Sequence, residues 1–166
     1  MQKKEENIKE DKYAKKAGLY ITTNMTLVFI SVTLFTLIVA INSNLLKEDI
    51  FLAAQIVLQI PFIIYSSNAL SRVSMHPDRV LDKFGIYTHA IGYCMFINSI
   101  GIIINLLVST QLSIIFFSAN IAFILVYGAL VQRIHLRESG KIRISKELLS
   151  LAIVILLGLF HVIGLY

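Results

Sequence analysis

Five primary amides lie inside long apolar runs of this 166-residue chain: Gln55, Gln59, Asn98, Asn105 and Asn120. Each carries two N–H donors and a carbonyl acceptor. In hydrocarbon, an amide turned to lipid leaves these groups unpaired, at several kcal/mol apiece. Such residues therefore face another helix or water. Their spacing puts them on stripes. Gln55 and Gln59 are one turn apart. Cys94, Asn98, Gly101 and Asn105 share one helical face, and Ser113, Asn120 and Tyr127 recur at seven-residue intervals. Two chemistries fit. The first is helix-to-helix hydrogen bonding, worth about 0.6 kcal/mol per bond on average between membrane helices. The second is a narrow polar path for a solute, lined by Asn98, Asn105 and Asn120.

Catalysis is not expected. The apolar runs contain no Asp, Glu, Lys or Arg, and an intramembrane carboxylate is the usual mark of a proton relay or cation-coupled pump. His89 and His161 fall near opposite ends of their runs. At 1.5 Å per residue they differ in depth by roughly 20 Å, too far to ligate one haem. Between the runs, Asp78 and Asp82 are one turn apart, but Arg79 and Lys83 interleave with them and satisfy their charge. No HExxH, phosphate-binding glycine loop or GxSxG is present. A single cysteine, Cys94, excludes an internal disulfide and a cysteine metal cluster. The expectation is a non-enzyme with no metal and no cofactor.

The elements that position these residues follow from composition. The chain is 57% hydrophobic and 15% charged, against about 45–50% and 25% for a soluble domain. The apolar residues cluster into five runs, at about 19–41, 50–68, 86–108, 112–131 and 148–166. About 20 helical residues cross a hydrocarbon core of about 30 Å. The fold expected is an all-α integral membrane protein, a single five-helix transmembrane domain over 18–166. It is preceded by a polar charged tail, 1–17, partly disordered or forming a frayed helix. The first run starts too late and is too long for a signal peptide, and no lipidation motif is read. In the first run Thr22, Thr26, Phe29, Thr33, Thr36, Ala40 and Ser43 share a face, read as its packing face. Pro61, in the second, denies the Val57 carbonyl its helical partner and is read as a kink or hinge. Gly85 is read as the break between a short surface turn and the third run.

Charge sets the orientation. The tail, the loop 71–84 and the loop 132–147 hold fourteen of the fifteen basic residues, and Lys47 is the other. The positive-inside rule then places the N-terminus in the cytoplasm and the C-terminus outside, in the cell membrane. The net charge of +5 is topological, and nucleic acid is not an expected partner. Arg72, Arg79, Lys83, Arg133, Arg137, Lys141 and Arg143 are placed to meet anionic lipid headgroups, at about 1 kcal/mol each. So small a bundle leaves helix faces open. A homo-oligomer or a membrane protein partner is expected, in a non-catalytic subunit or accessory role; a small oligomeric channel or transporter is the alternative.

Overall fold

The computed structural model describes residues 2–42, 44–75, 78–139 and 146–164. Its elements are α1 (Gln2–Asn42), α2 (Leu45–Glu48), α3 (Ile50–Met75), α4 (Arg79–Leu107), α5 (Thr110–Ser139) and α6 (Lys146–Val154). A π-helical turn (Ile155–Leu159) and α7 (Phe160–Val162) complete the series. Among the described residues there is no strand. Among the described residues four stretches are long and apolar enough to cross a membrane: Ala17–Ile41, Ile50–Ser74, Arg79–Leu107 and Thr110–Ile134. The fifth expected span corresponds to residues 146–162, a shorter helical run with the π turn inside it. Gly164, at φ +69°, lies just past its end, where a left-handed residue commonly closes a helix.

The helices overrun the expected boundaries. The tail is part of α1, which is continuous from Gln2. No glycine or proline interrupts residues 2–17, and alternating Lys and Glu favour helix. The loop expected over 71–84 shrinks because α3 extends to Met75 and α4 begins at Arg79. Asp78 makes that restart local: its Oδ1 accepts from the amides of Val80 (2.6 Å) and Leu81 (3.2 Å), an N-cap. Asp49 caps α3 in the same way, accepting from Leu52 N at 2.8 Å. Between α4 and α5 only Val108 and Ser109 intervene, and Ser109 Oγ accepts from Leu112 N at 3.2 Å.

The chain divides into two compact units, Met1–Tyr93 and Cys94–Tyr166, the division falling inside α4. In the first unit α1 packs on α3. The buried stripe of α1 is Ala17, Asn24, Leu27, Ser31 and Ile38, a helical spacing. This corrects the packing face expected from the threonines. Thr22, Thr26, Thr33 and Thr36 are exposed, and each hydroxyl donates to its own i−4 carbonyl. A hydroxyl satisfied within its own helix needs no partner helix, so these residues gain nothing by turning inward. Gly85 is also corrected. It lies buried within α4, and a Cβ there would sit 2.7 Å from Leu70 Cγ. It is a contact point between helices, and α4 runs through it unbroken.

In the second unit the core holds Ile97, Ile102, Val154 and one aromatic ring. Phe117 of α5 is fully buried, with Gly101 of α4 and Gly158 of the π turn both against the ring. Neither position has room for a methyl group.

Candidate functional site

The polar residues of the first unit converge on Asn24. Its side chain lies in the α1 stripe, fully buried. His89 Nδ1 donates to Asn24 Oδ1 at 2.5 Å; the amide oxygen can only accept, so the proton belongs on Nδ1. Asn24 Nδ2 donates to Ser66 Oγ at 3.2 Å, and the Ser66 hydroxyl donates to Gly85 O at 2.6 Å. One proton arrangement satisfies all three bonds, which tie α1, α3 and α4 together. Two aromatic rings hold the imidazole: Tyr20 edge-on at 5.0 Å, and Tyr93 stacked at 6.2 Å. Asn24 and Ser66 were not among the residues singled out from sequence. The available signal was the heptad spacing of Ala17, Asn24, Ser31 and Ile38, which the more numerous threonines overshadowed.

Gln55 and Gln59 lie on the buried face of α3, as their spacing predicts. The Gln59 side chain is 0% exposed, and neither Nε2 nor Oε1 has a hydrogen-bond partner. Close packing beside it is secured by Gly92, where a Cβ would lie 3.3 Å from Gln59 O and 2.7 Å from Ile63 Cγ1. Pro61 sits two residues on. The helix continues through it, with Pro61 itself exposed.

The stripe of α4 in the second unit faces residues 146–162. The Cys94 thiol approaches Ser150 O at 3.8 Å, and Asn98 Nδ2 donates to Ile153 O at 3.3 Å. Both acceptors are backbone carbonyls just ahead of the π turn. Such turns often occur at functional sites. This one brings Gly158 against Asn98 and Phe117. Gly101 O accepts from Ser113 Oγ at 2.7 Å, so the α4–α5 hairpin closes on a glycine carbonyl. Asn98 and Asn105 each keep an amide oxygen without a partner.

The remaining sequence candidates are spread out. Asn120 donates to Phe116 O of its own helix at 2.8 Å, and Tyr127 is exposed. The heptad stripe of α5 therefore turns inward at Ser113 and outward by Tyr127. Arg72, Arg79, Lys83 and Arg133 are exposed, in keeping with contact to headgroups or water. The side chain of Arg137 is not described, and Lys141 and Arg143 lie outside the described residues, as do Ser43 and His76. Among the described residues no three of His, Cys, Asp and Glu come together as metal ligands. Compared with known proteins, the chain matches no family model, no curated protein and no solved structure.

Proposed function

We propose that the chain is a non-catalytic subunit or accessory protein of a membrane assembly. In this reading five helices cross the cell membrane, with the N-terminus cytoplasmic and the C-terminus outside. The supporting observation is where the buried polar groups are used. Asn24, Ser66 and His89 bond one another, while Asn98, Cys94 and Ser113 bond carbonyls of neighbouring helices. These groups hold the bundle together, which leaves the outward faces for interaction. On α1 the outward face carries Thr22, Thr26, Thr33 and Thr36. Small hydroxyl residues at that spacing permit close approach of another helix. Arg72, Arg79 and Lys83 would meet anionic headgroups on the cytoplasmic side.

Photo-crosslinkers at Thr26 and Thr33, in native membranes, test this reading. A protein adduct of discrete size at both positions, absent from a control at Phe123 on α5, is the expected result. Lipid adducts alone at both would remove it. A reporter fused after Tyr166 should read external, and a cytoplasmic reading would refute five spans.

A small channel or transporter is the second reading. It is favoured by the unpartnered oxygens of Asn98 and Asn105, which share the α4 stripe. A buried amide oxygen without a partner costs about 1–3 kcal/mol, a cost that a polar solute or water would relieve.

A further inference from the structure

Glu147 is a carboxylate out of place. It lies in the first turn of α6, yet its side chain is only 8% exposed, and Oε2 has no hydrogen-bond partner. It lines a groove of about 180 Å³ between α5 and α6. Ile124 and Leu125 form one wall; Leu148 and Leu151 form the other. Gly128 faces Glu147 across the groove: a Cβ there would make ordinary contact, 3.4 Å from Glu147 Cβ. The groove reaches Gln132, near the end of the apolar stretch Thr110–Ile134. In the five-span reading, on which this inference rests, it therefore opens at headgroup depth, with its hydrocarbon walls toward the membrane interior.

A desolvated carboxylate in an apolar groove selects its occupant on three grounds. Its charge calls for a cation. Its unfilled acceptor calls for an N–H donor, which a primary ammonium has and a quaternary ammonium lacks. Its walls call for hydrocarbon attached to that cation. An anionic headgroup fails the first requirement. Arg133 and Lys146 are the chain neighbours of the groove residues Gln132 and Glu147. We infer that the α5–α6 groove binds an aminophospholipid, its primary ammonium on the Glu147 carboxylate and its acyl chain along Leu125 and Leu151. This site differs in sign from the basic surfaces assigned to anionic lipid, and it stands apart from the subunit reading.

The test is native mass spectrometry of the delipidated full chain in detergent. It is titrated with phosphatidylethanolamine, phosphatidylcholine or phosphatidylglycerol of identical acyl chains, and separately with octylamine. The quantity read is retained lipid in the wild type divided by that in Glu147→Gln. A ratio of about ten for phosphatidylethanolamine, and about one for the other two, is expected. Gly128→Leu keeps the carboxylate but fills the groove, and it should abolish the same preference. The inference is overturned if the phosphatidylethanolamine ratio is about one. It is equally overturned if phosphatidylcholine or phosphatidylglycerol falls as far. If the Glu147-dependent signal appears only with octylamine, the occupant is a free amine and the lipid assignment fails. Should Glu147→Gln not yield a monodisperse protein, Gly128→Leu decides alone: retention at the wild-type level overturns the site.

Discussion

Replacing Gly101 with Ala should damage the second unit through one contact, and a second substitution should repair it. A Cβ at position 101 would lie 3.1 Å from Phe117 Cε1, and closer still to Cε2 and Cζ. Carbon atoms in contact prefer about 3.5–4.0 Å. The ring cannot withdraw toward the π turn, because Gly158 already sits against it, its own would-be Cβ 2.5 Å from Cε1. The ring is fully buried. Overpacking of this kind costs about 1–3 kcal/mol, so Gly101→Ala should raise the unfolding equilibrium constant by about fivefold or more. The same methyl stretches the 2.7 Å bond from Ser113 Oγ to Gly101 O. Phe117→Leu removes the ring edge that the methyl strikes. In that background Gly101→Ala should cost little, giving a coupling of at least about 1 kcal/mol, within the range for residues in contact. Reversible unfolding in mixed detergent, followed by circular dichroism for the four members of the cycle, measures it. Additivity within about 0.5 kcal/mol would refute the ring-between-glycines geometry.

Asn24→Leu removes the bonds to His89 and Ser66 and should cost about 1 kcal/mol, from two interhelical bonds at about 0.6 kcal/mol each. Thr26→Val, on the same helix but facing outward, should change stability by less than about 0.5 kcal/mol in the same unfolding assay. Asp78→Ala deletes the α4 cap, at about 1 kcal/mol. Hydrogen exchange should quicken at the amides of Val80 and Leu81 while that of Leu52, capped by Asp49, stays unchanged. Pro61→Ala returns an N–H to the Val57 carbonyl, and a raised Tm is expected; a lowered Tm would mean that the proline's shape is needed for packing.

The apolar runs made the helices legible, because length and hydrophobicity report on a membrane core whatever the neighbouring helices do. The inward direction of Gln55, Gln59, Cys94 and Asn98 was legible too, since a polar side chain in lipid has few alternatives. The face of α1 was not. A threonine can satisfy its hydroxyl on its own helix, as Thr22 and Thr33 do, so a threonine stripe is a weak pointer to contact. An asparagine more often needs another helix, although Asn120 finds Phe116 O at home. One buried Asn24 therefore outweighed four threonines. Glu147 hid for a different reason. Next to Lys146 it resembles the end of a charged loop, and only the approach of α5 at Gly128 takes its carboxylate out of water. The π turn leaves no mark on hydrophobic periodicity; Gly158 is its one visible residue.

The central proposal is that no water path follows the α4 and α5 amides, of which Asn98 bonds Ile153 O of a neighbouring helix and Asn120 the carbonyl of Phe116 in its own. Thiol labelling tests it directly. Asn98→Cys, Asn105→Cys and Asn120→Cys are made singly in a Cys94→Ala background and probed from each side with a small, water-soluble reagent. Ser109→Cys, at the exposed α4–α5 turn, is the positive control and should label from outside. The account predicts that the three intramembrane positions stay unlabelled until the protein is denatured. Labelling of all three in the native protein would contradict it and turn the stripe into a hydrated path.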